Sequence, residues 1–144
     1  MSVSQILKSK GNAVVSGKSA DTLGHIAKQL ASHRIGAVLI LDDKGGIAGI
    51  VSERDIVRAV ANHGAAALNK TAGSIMTPKV FTCETGDTEN ELMTLMTQQR
   101  IRHVPVVDQG KLAGMISIGD VVKLRIENIE READEMKAYI ASAG

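Results

Sequence analysis

The spacing of apolar residues changes in a fixed order along the chain. A short apolar run at residues 13–15 comes first, then the polar turn Ser19-Ala-Asp-Thr22 with helix-start chemistry. Leu23, Ile26, Ala27 and Leu30 follow at intervals of three and four, which predicts a helix. The unbroken apolar run at residues 37–41 predicts a strand buried on both faces. Residues 42–46 read as a turn and 47–51 as a second strand. After Ser52, the residues Ile56, Val57, Val60 and Ala61 share one face of a second helix. That helix ends at Gly64, a residue suited to a C-terminal cap.

The same order returns in the second half. Ile35-Gly-Ala-Val-Leu-Ile-Leu-Asp42 matches Ile101-Arg-His-Val-Pro-Val-Val-Asp108 at an offset of 66. Gly49-Ile-Val-Ser-Glu-Arg-Asp-Ile-Val57 matches Gly114-Met-Ile-Ser-Ile-Gly-Asp-Val-Val122 at an offset of 65. Residues 80–82 stand for 13–15, and Leu92, Met93 and Met96 stand for Ile26, Ala27 and Leu30. Self-similarity of this kind marks a repeat architecture. Each copy reads β-α-β-β-α, so the fold class is mixed α/β (α+β). One copy of about 60 residues is marginal alone, whereas two packed face to face share a core with approximate two-fold symmetry. The chain divides into repeat 1 at residues 1–64, a linker at 65–71, repeat 2 at 72–125 and a helical extension at 126–144.

The final helix outruns its counterpart. Val122, Ile126, Ile129, Ala133, Met136 and Ile140 are separated by 4, 3, 4, 3 and 4, which is a heptad seam. Two readings stand: this helix covers the module's own core, or its end pairs with another chain. A homodimer is expected, with the apolar residues around 56–60 and 121–124 adding surface, because two-fold pairing is the commonest solution for such a patch.

Composition narrows the function. The chain has 144 residues, 17 basic and 16 acidic, and its net charge is +1. No polybasic block occurs, and one Phe, one Tyr and no Trp leave no stacking platform, so nucleic acid is not an expected partner. The single cysteine, Cys83, permits no internal disulfide and lies in no nucleophile motif, so it reads as a packing residue. Residues 1–10 lack the apolar stretch of a signal peptide, and no segment reaches the roughly 20 apolar residues of a membrane helix. The expected location is the cytoplasm. His25, His33 and His63 lack metal-ligand spacing, so no metal site is expected. A phosphate loop of the G-x-x-x-x-G-K type and a nucleophile triad are likewise missing, which argues against an enzyme.

Two motifs remain: Ser52-x-x-Asp55 and Ser117-x-x-Asp120, each where a strand turns into a helix. One reading is structural. Serine followed three residues later by an acid is a capping box, and two helices need two caps. The other reading is a ligand contact, since free N–H groups and a positive dipole end at a helix start suit an anion.

The duplicated β-α-β-β-α order resembles the cystathionine-β-synthase-type (CBS) domain pair, or Bateman module, in its stand-alone bacterial form. The resemblance runs from about Ile6 to Leu124. It rests on Ile75-Met-Thr-Pro78, on Arg102-His-Val-Pro-Val-Val-Asp108, and on both copies of Gly-apolar-apolar-Ser-x-x-Asp. It implies a cleft between the repeats that holds AMP, ADP, ATP or NAD(H), with no cofactor required and a regulatory role. Asp55 and Asp120 would grip ribose hydroxyls in a charge-assisted bidentate contact, with Ser52 and Ser117 on ribose or phosphate. Adenine would slide between Val15 and Val38 in one site, and between Phe81 and Val104 in the other. Arg58 and Lys123, one turn into each second helix, would lie near a phosphate or else form a solvated basic face. Arg102 and His103 would approach phosphate or else sit at the surface, and Arg34, at the place equivalent to Arg100, reads as a surface residue. Glu53-Arg54 stands where Ile118-Gly119 stands in the second copy, and Leu39 stands for Pro105, so the two clefts are expected to differ. With no second domain attached, the module would act in trans on a separate regulated protein. The alternative is an interaction module that dimerises without a ligand.

Overall fold

A computed structural model describes residues 2–143. The chain runs α1 (Val3–Lys10), β1 (Ser16–Lys18), α2 (Leu23–His33), β2 (Ala37–Leu41), β3 (Ile47–Ser52) and α3 (Glu53–His63). A 3-10 turn (Gly64–Asn69) and the short α4 (Ala72–Ile75) lead into α5 (Glu89–Gln99), β4 (His103–Asp108), β5 (Lys111–Ser117) and α6 (Ile118–Ala143). In the first repeat β1 pairs parallel to β2, and β2 pairs antiparallel to β3. In the second, β4 and β5 form an antiparallel pair.

The opening strands differ from the expectation. The first lies at Ser16–Lys18, not at residues 13–15, because its register is set against Leu39, Ile40 and Leu41 of β2. Residues 80–82 form no strand, and the equivalent pairing shrinks to one parallel bridge between Cys83 and Val106. Cys83 still makes both backbone bonds of that bridge, donating to the Pro105 carbonyl at 2.9 Å and accepting from Val107 N–H at 2.8 Å.

Each repeat owns a core. Leu23, Ile26, Leu30, Val38, Ile40 and Val51 fill the first. Leu92, Met96, Val104, Val106, Ile116 and Val121 fill the second. Each core is then completed by a segment from outside its β-α-β-β-α unit. Val3, Ile6 and Leu7 of α1, which the sequence groups with repeat 1, are buried in the core of repeat 2. Val3 N–H donates to the Asp87 carbonyl and Ser4 N–H to the Thr85 carbonyl, at 2.8 and 3.1 Å. Reciprocally, Ala67 and Ala72, around the connecting segment, are buried in the core of repeat 1, where Ala72 N–H donates to the Asp21 carbonyl at 2.7 Å.

These two segments are themselves a repeat, with Ser2-Val-Ser-Gln-Ile-Leu7 standing for Thr71-Ala-Gly-Ser-Ile-Met76 at an offset of 69. Leu7 lies over Gly114 of β5 and Met76 over Gly49 of β3, so close that a Cβ on either glycine would come within 2.5 and 2.6 Å of them. At Gly49 the Thr77 carbonyl also lies within 2.9 Å of that Cβ, so glycine is required there, whereas at Gly114 only the Leu7 side chain stands in the way.

Candidate functional site

A cavity of about 550 Å³ opens between the repeats. Its first wall is the β3–α3 junction. β3 ends at Ser52, whose extended backbone makes it the N-cap of α3. Ser52 N–H donates to Asp55 Oδ2 at 2.9 Å, Ser52 Oγ donates to the same oxygen at 3.1 Å, and Asp55 N–H donates to Ser52 Oγ at 3.3 Å. The capping box expected from the sequence is therefore formed. It engages Oδ2 alone, so among the described residues Oδ1 keeps its lone pairs for another donor. Capping and ligand contact are compatible at this carboxylate.

The opposite wall comes from the second repeat and the segment before it. Lys79, Phe81, Arg100, Arg102 and His103 join Ser52, Asp55, Arg54 and Arg58 around the cavity. Thr77 is anchored there by two backbone bonds with Ile50, at 2.9 and 3.0 Å. Five cationic side chains (Arg54, Arg58, Lys79, Arg100 and Arg102) meet only two acidic ones, Glu53 and Asp55. The field in the cavity is positive. Lys79 Nζ stands 5.2 Å from the centre of the Phe81 ring, a cation–π contact. Burial, together with the positive charges of Arg102 and Lys10, holds His103 below the usual histidine range. It is neutral at pH 7 and has both a donor and an acceptor to offer.

The second motif sits elsewhere, in a different state. Ser117 N–H donates to Asp120 Oδ2 at 2.8 Å and Asp120 N–H to Ser117 Oγ at 3.2 Å, so this box is formed too. Asp120 Oδ2 also takes a 2.6 Å bond from the ammonium of Lys10, which donates a second bond to the Met115 carbonyl at 2.7 Å. Burial alone would raise the Asp120 pKa. The Lys10 contact and the Ser117 bonds outweigh it and hold the carboxyl below the usual range. Lys123 lines this smaller cavity of about 360 Å³ with Lys10, Asp120 and Ser9.

Of the residues singled out in the sequence, Ser52, Asp55, Arg58, Phe81, Arg102 and His103 come together in the larger cavity. Asp120 and Lys123 lie in the smaller one, and Ser117 caps α6 beside them. The apolar walls are not formed as expected. Val38 and Val104 have no exposed surface, because β2 and β4 are covered on both faces within their own cores. Val15 packs half-buried on the first core, and Phe81 lines the cavity with Asp55. Arg100, the counterpart of Arg34, lines the cavity from a left-handed position at φ 54°. Cys83 is buried, and burial with the nearby Asp87 pushes its thiol up to about 12, so it stays protonated. Among the described residues no three His, Cys, Asp or Glu side chains converge as metal ligands, and no helix is long and apolar enough to cross a membrane.

Comparison with known proteins agrees with this geometry. The family model described as CBS domain matches twice, over residues 12–62 and 72–127. The chain belongs to the CBS-domain family. A CBS-domain protein of Agrobacterium tumefaciens, ATU1752, has a crystal structure 46% identical to it, with a TM-score of 0.85 over 87% of this chain and 99% of that one. The mitochondrial CBS domain-containing protein CBSX3 of Arabidopsis thaliana is 32% identical over 96% of this chain and 71% of its own. The CBS domain pair of protein MJ0100, crystallised with 5′-methylthioadenosine and S-adenosylmethionine, is 27% identical, with a TM-score of 0.79 over 89% of this chain and 98% of that one. The chain is thus a regulatory-type CBS pair whose two repeats are equal in topology and unequal at their helix-start aspartates.

Three participants escaped the sequence reading. Lys79 follows the Ile-Met-Thr-Pro motif directly, and Lys10 is its counterpart at the offset of 69 that relates α1 to α4. That alignment would have found both. Arg54 was visible only as a departure from Gly119.

Proposed function

We propose that this CBS pair binds a phosphate-bearing adenine nucleotide in the Asp55 cavity, without turning it over, and passes the bound state to a separate protein in trans. The observation that carries this reading is the charge of the cavity. Arg54, Arg58, Lys79, Arg100 and Arg102 surround the start of α3, and Asp55 has one oxygen unengaged by its cap. A helix start and clustered guanidinium groups suit phosphate oxygens, while a carboxylate suits ribose hydroxyls.

The same field separates ligands within the adenosine class. S-adenosylmethionine carries a sulfonium cation, which an excess of arginine repels. Methylthioadenosine carries no anion to use that excess. ADP, ATP or NAD gains from every cation in the cavity, and AMP from fewer of them. Cavities that bind small molecules typically measure about 300–1,000 Å³, and this one falls inside that range.

Calorimetry with ADP, ATP, NAD, AMP, GTP and S-adenosylmethionine tests the proposal. The expected order places the adenine polyphosphates first, with GTP and S-adenosylmethionine weakest. At 100 times the dissociation constant, a bound ligand stabilises the fold by about 2.7 kcal/mol, which a melting experiment detects. No binding by any adenine nucleotide at millimolar concentration would favour the ligand-free interaction module instead.

A further inference from the structure

The helix α6 has two faces with different fates. Val122, Ile126, Ile129, Met136 and Ile140 lie on the outer one and are 45% to 63% exposed, so the seam does not cover the module's own core. On the inner face Val121 is buried, Leu124 is half-buried, and Asn128 is the last buried residue of the helix. Asn128 meets the start of α5. Its Nδ2 donates to Glu89 Oε2 at 2.9 Å, and Arg125 donates to Glu89 Oε1 at 3.1 Å. Glu89 is 6% exposed and Asn128 4%. Asn128 Oδ1 is a buried acceptor to which nothing donates among the described residues.

Repeat 1 closes the equivalent place without charge. Leu23, the counterpart of Glu89, is fully buried in its core. There the chain turns at Gly64, and the Leu68 carbonyl would lie 3.3 Å from a Cβ on Gly24 at the start of α2. An apolar residue thus suffices for stability at this position, and a buried ionic group is seldom more stabilising than an apolar one. Repeat 2 instead carries a buried carboxylate and an unanswered amide oxygen. Both residues line a cavity of about 470 Å³ between α5 and α6. Arg131, Glu132 and Glu135 complete it from the exposed part of α6, three, four and seven residues beyond Asn128 and so on its side of the helix.

We propose that this cavity binds a basic α-amino acid such as lysine or arginine. The α-ammonium group supplies the donor that Asn128 Oδ1 lacks, and it shares the Glu89 carboxylate, whose lone pairs exceed the two bonds they now accept. The α-carboxylate meets the guanidinium of Arg131, which has no ion pair among the described residues. The cationic side chain of the ligand lies along Glu132 and Glu135. Charge selects this class. Three carboxylates and two guanidinium groups leave the cavity with one negative charge, which a basic amino acid neutralises and an acidic one doubles. The volume falls within the range of about 300–1,000 Å³ typical of small-molecule sites. The cavity shares no residue with the one around Asp55, so the inference stands independently of the nucleotide reading.

Calorimetry of the full chain with L-lysine and L-arginine is expected to show one saturable site, and L-glutamate none. Cadaverine lacks the carboxylate and 6-aminohexanoate lacks the α-ammonium group, so each is expected to bind about tenfold more weakly than lysine, the loss of one charge-assisted contact. Glu89→Gln keeps the shape of the buried side chain and is expected to weaken lysine by a similar factor. Arg131→Gln, at an exposed position that leaves the fold intact, is expected to weaken lysine and leave cadaverine unchanged. It decides the matter even where Glu89→Gln unfolds the chain. No heat with either basic amino acid at millimolar concentration overturns the proposal. So does cadaverine or glutamate that binds as tightly as lysine, or an Arg131→Gln variant that keeps the parent's affinity for lysine.

Discussion

Asp55 and Asp120 hold equivalent places in the two repeats and cap their helices through equivalent bonds, but their surroundings diverge. Asp55 faces a cavity rich in arginine. Asp120 is bound by the chain's own lysine at 2.6 Å. The difference begins with one residue pair. Lys10 and Lys79 are counterparts, yet Lys79 stands over the Phe81 ring, whereas residues 11–15 offer Lys10 no aromatic to stand on. Lys10 bonds the carboxylate instead. A duplicated backbone therefore carries one open site and one already answered from within, and topology alone does not reveal which is which.

The largest expected effect tests the chemistry of the two carboxylates. Glutamate serves a capping box at least as well as aspartate but moves the carboxylate out by a methylene. Asp55→Glu should leave stability within about 0.5 kcal/mol of the parent and lower nucleotide affinity roughly tenfold or more, since a charge-assisted bond contributes about 1.5–3 kcal/mol. Asp120→Glu should change affinity little. Calorimetry on both variants checks this, and equal losses would erase the asymmetry.

A comparable cost is expected at the paired glycines. Gly49→Ala brings a Cβ against Met76 and within 2.9 Å of the Thr77 carbonyl, which is backbone and cannot step aside. Overpacking of this kind destabilises by about 1–3 kcal/mol. Gly114→Ala meets only the Leu7 side chain and should cost less. Denaturant midpoints rank the two, and the reverse order would show that α1 grips its repeat more rigidly than α4 does.

Lys10→Gln should break the comparison outright. Freed from its ammonium, the Asp120 cleft becomes able to take ligand, and calorimetric stoichiometry should rise from one site toward two. The stability change should be about 1 kcal/mol or less, as for other partly exposed ion pairs. Its pH dependence has a definite sign. Asp120 has a lowered folded-state pKa, so its contribution is fully present above the unfolded value near pH 4 and is lost as the pH falls through the folded value. The parent should therefore lose more stability across that acid window than the variant does.

The smallest effect concerns His103. Its folded-state pKa is lowered by burial and by Arg102 and Lys10, so its contribution to stability is present above about pH 6.5 and declines as the pH falls through the folded value. A phosphate beside it would raise that pKa, so affinity should climb, by less than about tenfold, between pH 8 and pH 6. A flat profile in calorimetry would remove His103 from the phosphate grip.

The sequence announced both repeats because each switches from helical to strand spacing in the same order. Residues 37–41 and 103–108 read correctly as strands because their apolar runs are covered on both sides. The first strands were misplaced because three residues, or a single bridge, carry no periodicity to detect. Helix α1 went unseen because Val3, Ile6 and Leu7 make a short stripe whose partner surface lies about half the chain away. At the site, Ser52, Asp55, Arg102 and His103 were legible through motif and duplication. The Lys10–Asp120 bond was not, because it spans 110 positions and depends on the crossing of segments between repeats. The heptad seam was plain, but its outward direction required knowing that Val121 and Asn128 claim the inner face.

The crossing of those segments also sets a timetable. Helix α1 leaves the ribosome before either β-α-β-β-α unit, and its binding surface includes Val121, made more than a hundred residues later. At 5–20 residues per second, roughly ten seconds pass before Val3, Ile6 and Leu7 have anything to bury against. The first repeat escapes this wait, since Ala67 and Ala72, which close its core, follow it directly. Synthesis thus yields the first repeat early, while the apolar side of α1 stays exposed to chaperones and to neighbouring chains until the second repeat has been made.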